Sequence, residues 1–247
     1  MDYQIIPLKV GTITDLPKQA LTHRMNREVV CEGPCIMWYI KGTKNNIIVD
    51  LGPSDPDQFL ENHGLHLRRT ENEKPANALK TIGLSTDEVK IVIITHLHFD
   101  HAWGFHIFKN AKFLIQEKEI HYAITPLPTH RASFYETSLG KPKFVDYLDR
   151  IEAIRGDYEV EEGVNAIFIP SHTPGFQGVL VNTEKGKYFI AGDAVGLFEC
   201  WETIPHITSG TFNSLEDYRR SLEKIEKIAD YVLPGHDMRV FDKPIYP

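Results

Sequence analysis

The chain has 247 residues, of which 42% are hydrophobic and 25% are charged, and its formal net charge is −7. This composition is typical of a globular protein, so we expect a single domain over residues 1–247 and exclude a disordered chain. The acidic balance excludes general binding of nucleic-acid phosphates, because such binding depends on clustered lysine and arginine.

Short β-rich runs bounded by Gly, Pro, Asn or Asp predict strands, with helical periodicity between them. The clearest helix begins at Ser214, where a capping pattern is followed by Leu215, Tyr218, Leu222 and Ile225 at spacings of three and four. The tract 127–143 has no clean period and predicts a loop that covers or borders a site. The predicted strands are 5–10, 36–40, 47–49, 91–94, 112–116, 166–169, 179–182, 188–191 and 231–233.

One stretch directly behind the run 91–94 is rich in metal-ligand side chains. Four of them, His96, His98, Asp100 and His101, fall within six positions. Imidazole and carboxylate donors together form a nitrogen and oxygen site that suits zinc, iron or manganese. The stretch therefore predicts a metal-dependent function.

Three further apolar segments lead into a ligand-type side chain, as 91–95 leads into His96. His172, Asp193 and His236 follow the segments 168–171, 189–192 and 232–235. Because a rigid site is best held where ordered strands end, we expect these side chains to join the first cluster. Seven ligands are too many for one tetrahedral zinc ion and suit two ions that share a carboxylate. The sequence therefore predicts a binuclear site.

The stretch 96–101 reads HxHxDH, and with the later His, Asp and His it resembles the metallo-β-lactamase superfamily over nearly the whole chain. The resemblance implies an α+β fold, a four-layer αββα sandwich with the site at one edge. It implies that Asp193 bridges two metal ions and that Asp50 is either a hydrogen-bond acceptor for a ligand histidine or a turn residue. The implied ligands are His96, His98 and His172 for one ion and Asp100, His101 and His236 for the other.

Asp193 distinguishes the chain from class B1 β-lactamases, which use a cysteine ligand and lack the bridging carboxylate. Closer similarity is to the N-acyl-homoserine lactone lactonases, through 98–101, 156–160, 171–175 and 235–237. This similarity implies a hydrolase that opens a small-molecule lactone or similar cyclic ester with two divalent metal ions, with zinc expected and iron or manganese as alternatives. Asp100 or Asp193 would pass a proton to the leaving alkoxide.

The chain departs from those lactonases at Gly196, where they carry a tyrosine three residues after the bridging aspartate. That tyrosine donates a hydrogen bond to the ester carbonyl. Candidate replacements are His206, Tyr135 and Trp201. Candidates for an apolar wall of the substrate pocket, or alternatively core residues, are Phe198, Trp201 and Phe212.

Two other functions stay open from the sequence. Relatives of hydroxyacylglutathione hydrolase share HxHxDH and hydrolyse thioesters or, with a single iron, oxygenate sulfur. The glycine at 196 also fits a metal-binding protein without turnover. The sequence does not indicate the oligomeric state.

The remaining features point to an ordinary intracellular protein. The amino terminus lacks a basic and apolar leader, and no apolar run reaches a membrane-spanning length, so we expect no membrane association. Three cysteines, Cys31, Cys35 and Cys200, are too few and odd in number for a disulfide framework, which suits the cytoplasm. His23 and the other histidines outside the strand-end pattern are interpreted as surface or packing residues.

Overall fold

Two β-sheets form the centre of the computed structural model, which describes residues 3–136 and 139–247. Each predicted strand is present, and several are longer than predicted. The strands are β1 Gln4–Pro17, β2 Val30–Lys41, β3 Ile47–Val49, β4 Leu67–Arg68, β5 Ile91–Ile93, β6 Lys112–Gln116, β7 Tyr135–Glu136, β8 Lys141–Pro142, β9 Ile151–Ile154, β10 Tyr158–Glu161, β11 Val164–Phe168, β12 Gln177–Thr183, β13 Gly186–Gly192 and β14 Tyr231–Pro234.

The strand order brings several strand ends to one edge of each sheet. The larger sheet has the order β4-β1-β2-β3-β5-β6-β9 and the smaller sheet has the order β10-β11-β12-β13-β14. In the larger sheet β3, β5, β6 and β9 run parallel, and in the smaller sheet β13 and β14 do so. β11 shares their direction, because β11 and β13 are both antiparallel to β12. The loops after parallel strands therefore leave each sheet at a common edge, which is where α/β folds place their sites.

The two sheets pack face to face through alternating side chains. In β2, Ile36, Trp38 and Ile40 are buried in the layer between the sheets, whereas Met37 and Tyr39 face the opposite way. This alternation follows from the two-residue period of a strand, and burial of both faces explains why β2 is apolar almost throughout. Helices cover the outer faces, which confirms the predicted four-layer αββα sandwich.

The longest helix packs on the outer face of the smaller sheet. The Ser214 hydroxyl accepts a hydrogen bond from Asp217 N at 3.1 Å, which caps the helix, and Tyr218, Leu222 and Ile225 form its buried face. Leu215, predicted on that face, is 45% exposed at the first position of the helix. The helices are α1 Pro56–His63, α2 Pro75–Thr81, α3 Glu117–Ile124, α4 Arg131–Phe134, α5 Phe198–Glu202 and α6 Leu215–Ile228.

The tract 127–143 is more regular than its sequence predicted. It contains a 3₁₀ turn at Pro128–His130, α4, and the β7–β8 pair, while Thr137 and Ser138 lie outside the described residues. The tract is held against the HxHxDH loop, since Phe99 N donates a hydrogen bond to Ser133 O at 3.0 Å. Among the described residues, no helix has the length and apolar character needed to cross a membrane.

Candidate metal centre

The seven side chains singled out in the sequence converge at the edge where the strands end. The loop 94–103 follows β5, His172 follows β11, Asp193 follows β13, and His236 follows β14. All seven are buried, and the most exposed of them, Asp100, is only 8% exposed. Buried histidines and carboxylates at this density require partners that compensate their desolvation.

The seven side chains form two groups of three with one residue between them. The possible ligand atoms of His96, His98 and His172 all lie within 4.8 Å of one another, and those of Asp100, His101 and His236 do the same. Asp193 Oδ1 lies 3.0 Å from Nε2 of both His101 and His236. Asp193 Oδ2 lies 3.4 Å from His172 Nε2, in the first group. The carboxylate of Asp193 is thus positioned between the two groups, with one oxygen towards each.

The far nitrogen of each of four imidazole rings is fixed by a hydrogen bond. His101 Nδ1 donates to Asp50 Oδ2 at 2.8 Å, and His236 Nδ1 donates to Pro34 O at 3.0 Å. Thr95 Oγ1 lies 3.1 Å from His96 Nδ1, and Ser209 Oγ lies 3.0 Å from His172 Nδ1. A partner of this kind sets the ring orientation and leaves Nε2 to bind an ion.

The inward-facing atoms fit a pair of cations. Among the described side chains, Nε2 of His96, Nε2 of His101 and Oδ1 of Asp193 are buried without a hydrogen-bond partner. His98 Nδ1 and His172 Nε2 approach each other to 2.9 Å, as two lone pairs do when they converge on one ion. Buried polar atoms are nearly always paired, so these atoms lack the partner that a cation in each group would supply. The donor set of imidazole and carboxylate is the one that zinc, iron and manganese accept.

Charges within the cluster are distributed unevenly. Burial, and then the neighbouring imidazoles, hold the pKa values of His96 and His98 well below the usual range. Burial acts in the same direction on His101 and His236, but the carboxylates, Asp193 foremost, outweigh it and raise both pKa values. The end of the cluster that contains His101 and His236 therefore favours positive charge most strongly.

Asp50 joins two parts of the HxHxDH loop from behind. Its Oδ1 accepts a hydrogen bond from Thr95 N at 2.7 Å, and its Oδ2 accepts hydrogen bonds from Thr95 Oγ1 and His101 Nδ1, each at 2.8 Å. Asp50 follows β3 and has a left-handed backbone with φ of 61°, a conformation that aspartate tolerates better than most residues. Of its two interpretations, the hydrogen-bond acceptor for a candidate ligand is the one that the structure shows.

Glu119 was missed by the sequence reasoning. This residue of α3 is fully buried, and it accepts hydrogen bonds from Leu97 N at 2.9 Å, Thr173 Oγ1 at 2.6 Å and Gly175 N at 3.2 Å. Leu97 lies between His96 and His98, and Thr173 follows His172, so one carboxylate fixes both loops of the first group. Little in the sequence indicates this role. The one signal is the spacing of four residues between Glu119 and the apolar Ala123, which places both on the buried face of a helix.

Gly175 allows this close approach, since a Cβ there would lie 2.1 Å from the Glu119 backbone nitrogen. Any larger residue would push α3 away from the loop that carries His172. The aromatic ring that packs on the first group was also not predicted. Phe134 of α4 lies edge-on to His98 with 4.6 Å between ring centroids.

The proposed replacements for the lactonase tyrosine all have other partners. Tyr135 donates to Ile124 O at 2.6 Å, and His206 contacts Glu226 at 2.9 Å and stacks on Trp201 at 4.0 Å. None of the contacts described for these three side chains reaches the seven clustered residues. A Cβ at Gly196 would lie 3.1 Å from Leu21 Cδ2, so Leu21 lies where a side chain at position 196 would begin.

The predicted apolar wall does not form as one surface. Phe198 lies beneath Arg239, whose guanidinium carbon is 4.7 Å from the ring centroid, and lines a separate cavity with Tyr188 and Tyr231. Phe212 packs edge-on to His23 at 4.9 Å, next to the segment that contacts His172. For Phe198 the alternative interpretation, a core residue, is the one that the structure shows, because α5 turns this ring towards β14.

Comparisons with known proteins agree with this geometry. A family model described as the Metallo-beta-lactamase superfamily matches residues 32–236. An N-acyl homoserine lactonase of Bacillus thuringiensis is 28% identical over 217 residues, which cover 83% of this chain and 82% of the relative. The N-acyl homoserine lactonase AttM of Rhizobium radiobacter is 28% identical over 163 residues, which cover 64% of this chain and 62% of the relative.

Solved structures share the fold. An N-acyl homoserine lactone hydrolase with the product N-hexanoyl-L-homoserine bound at its catalytic metal centre superposes with a TM-score of 0.76 at 23% identity, covering 98% of this chain and 96% of the other. A probable metal-dependent hydrolase from Staphylococcus aureus superposes with a TM-score of 0.79 at 20% identity, covering 96% of this chain and 90% of the other.

Proposed function

The chain belongs to the metallo-beta-lactamase superfamily, and we propose that it is a binuclear metal-dependent hydrolase that opens the ring of a lactone. One observation carries the proposal: two groups of three candidate ligands lie on either side of Asp193, and Nε2 of His96, Nε2 of His101 and Oδ1 of Asp193 are buried there without a hydrogen-bond partner. The N-acyl homoserine lactonases that match over most of their own length support lactones as the substrate class.

We propose zinc as the metal in both positions, since imidazole nitrogen and carboxylate oxygen are its common donors. His96, His98 and His172 would hold one ion, Asp100, His101 and His236 would hold the other, and Asp193 would be shared between them. When bound, such a pair supplies Lewis acidity and activates water for attack on the lactone carbonyl.

The protein's own groups then control geometry and protons. Asp50 and Glu119 hold the loops, so the candidate ligands keep their positions while substrate binds and leaves. Asp100 is the most exposed of the seven, with Oδ2 at 3.6 Å from Nε2 of both His101 and His236. We assign to the carboxylate of Asp100 or of Asp193 the transfer of a proton, taken from the attacking water, to the alkoxide oxygen that leaves when the ring opens.

The site is proposed to work in the cytoplasm. All three cysteines, Cys31, Cys35 and Cys200, carry free thiols, as is usual in a reducing compartment. Neither thioester hydrolysis nor sulfur dioxygenation is supported by a specific feature of this chain, and we retain them only as outcomes of the experiment.

The experiment measures metal content and turnover together. The purified protein is analysed for metals and assayed with N-acyl homoserine lactones, thioesters, and a persulfide with oxygen uptake. We expect two ions per chain and lactone hydrolysis, and at least about a hundredfold loss of turnover together with metal in Asp193→Asn. Asp149→Asn, a change at an exposed carboxylate, is the matched control. Full activity in metal-free protein would refute the proposal, and a single iron with oxygen uptake would indicate dioxygenation.

A further inference from the structure

A cavity of about 610 Å³ lies beside the candidate metal centre. Gly210 and Thr211 form one of its walls, and Gln19, His23, Arg24 and Arg27 are among the residues that form the rest. Thr211 O lies 3.1 Å from His172 Nδ1, so a single residue joins this wall to a proposed ligand. Nδ1 is the nitrogen of this ring that faces away from the proposed ion, so the cavity adjoins the outer side of a proposed ligand.

The segment that carries the cavity's cations, residues 18–29, is held in a defined conformation. Its ends are joined by the hydrogen bond from Lys18 N to Val29 O at 2.8 Å. It is attached to the opposite wall by His23 N to Thr208 O at 2.9 Å and by Gly210 N to Ala20 O at 2.8 Å. The backbone that carries the exposed side chains of Arg24 and Arg27 is thus tied to the same segment, 208–211, that contacts His172.

The lining of this cavity is positively charged, whereas the whole chain is negatively charged. Arg24 and Arg27 lie in its lining, which contains no acidic residue, although the protein has a net charge of −7. Among the described residues, neither guanidinium has an ion pair or a hydrogen bond, whereas Arg68, Arg155, Arg220 and Arg239 each pair with a glutamate. Two unpaired guanidinium groups in one concave surface are suited to bind a carboxylate or a phosphate.

The backbone at Arg24 adds to this argument. Its φ of 60° is left-handed, a conformation that costs an arginine free energy and would cost a glycine almost none. The turn is maintained by Thr22, whose Oγ1 donates to Lys18 O at 2.9 Å and accepts from Asn26 Nδ2 at 3.2 Å. An arginine kept in this conformation at a cavity wall is consistent with a binding role.

We propose that this cavity binds an anionic group of the substrate, a carboxylate or a phosphate, at the end remote from the lactone ring. The inference rests on the proposed function and narrows its substrate class from lactones in general to lactones with a negatively charged chain. His23, interpreted from the sequence as a surface or packing residue, becomes part of the binding surface. Arg24 and Arg27 supply the charge, while the metal centre acts on the ring.

The test uses homoserine lactones whose acyl chains increase in length and end in a methyl group, a carboxylate or a phosphate. For the metal-loaded wild type we expect kcat/KM for the best anionic chain to exceed that for the matched methyl chain by about tenfold or more. The variant Arg24→Gln, Arg27→Gln should lose this preference through a higher KM for the anionic chains. The control Lys80→Gln, Lys109→Gln removes equal charge from exposed positions and should keep the preference.

A binding measurement separates this inference from the proposed function. Calorimetric titration of the metal-loaded protein with the corresponding lactams, which carry nitrogen in place of the ring oxygen, reports affinity without lactone turnover. Tighter binding of anionic lactams that depends on Arg24 and Arg27 supports the cavity assignment even if no lactone is hydrolysed. Turnover and binding that are indifferent to the chain end in all proteins would overturn the inference and leave the lactonase proposal intact.

Discussion

Glu119 and Thr173 are joined by a hydrogen bond of 2.6 Å between the threonine hydroxyl and the buried carboxylate. The other carboxylate oxygen accepts from Leu97 N at 2.9 Å, so α3 connects the loop of His96 and His98 to the loop of His172. Burial raises the pKa of Glu119 to about 7, although all three of its hydrogen bonds oppose the rise. This group therefore links the integrity of the metal centre to pH.

Glu119→Gln should destabilise the metal-free protein with a defined pH dependence. Between the ordinary carboxyl pKa of about 4.5 and the folded value of about 7, the folded protein holds a proton that the unfolded chain has released. Stability from this group is therefore lost as pH rises through that window, by up to about 3 kcal/mol. Denaturant unfolding should show that the free energy of unfolding of the wild type exceeds that of Glu119→Gln by an amount that decreases from pH 5 to 7. Above pH 8 the difference should stay constant.

A change at an exposed glutamate separates this effect from a general loss of charge. Glu223→Gln on the exposed face of α6 should leave the unfolding free energy within about 0.5 kcal/mol of wild type at every pH. A stability difference between wild type and Glu119→Gln that grows with pH would contradict the assignment of a raised pKa.

Asp50→Ala should weaken metal binding more than it weakens the fold. Removal of the carboxylate frees His101 Nδ1 to rotate and leaves Thr95 N without its acceptor. Loss of a partner that orients a ligand imidazole typically lowers metal affinity by about 10- to 100-fold. We expect competition with a chelator to remove the ion of the Asp100, His101 and His236 group first, and Asp149→Ala to behave as wild type. Loss of both ions in parallel would argue against separate groups.

The two groups should also be distinguishable by stoichiometry. His98→Ala removes a donor from the first group only, and His236→Ala removes one from the second only. Each variant should retain about one ion per chain after dialysis, and the double variant should retain none. Elemental analysis provides the count, and a variant that keeps two ions would show that the altered histidine is not a ligand.

Much of this site was predictable because its residues follow a local rule. An apolar strand ending in a small residue and then a ligand-type side chain recurs before His96, His172, Asp193 and His236, and strand ends are where a sheet delivers side chains to a common edge. The αββα layers were predictable from the family resemblance. Apolar runs such as β2 marked strands covered on both faces.

What the sequence did not reveal depends on contacts between distant segments. Glu119 acts on Leu97 and Thr173, which are 22 and 54 residues away, and no periodicity reports such a contact. The strands β9 and β10 are only four residues long, and pairing with β6 and β11 stabilises them more than their own propensity does. Position 196 was recognised as different from the lactonases, but the residue that occupies the space beside it, Leu21, could be identified only from the packing.

The packing of Leu21 against Gly196 predicts that Gly196→Tyr is destabilising. A Cβ at this position would lie 3.1 Å from Leu21 Cδ2, tighter than ordinary contact, and Leu21 is only 4% exposed. The tyrosine should therefore destabilise the protein by about 1–3 kcal/mol through overpacking. Leu21→Ala alone should lower the free energy of unfolding by about 2–5 kcal/mol. Because it also removes the side chain that obstructs the tyrosine, the loss in the double variant should be smaller than the sum of the two single losses by about 1 kcal/mol or more.

Denaturant unfolding of the four proteins measures that coupling. Leu79→Ala, an equally buried leucine in α2, serves as the matched partner and should add to Gly196→Tyr within about 0.5 kcal/mol. Additivity with Leu21→Ala as well would mean that a side chain at position 196 avoids Leu21. In that case the absence of the lactonase tyrosine would have to be explained by the substrate and not by the space that Leu21 fills.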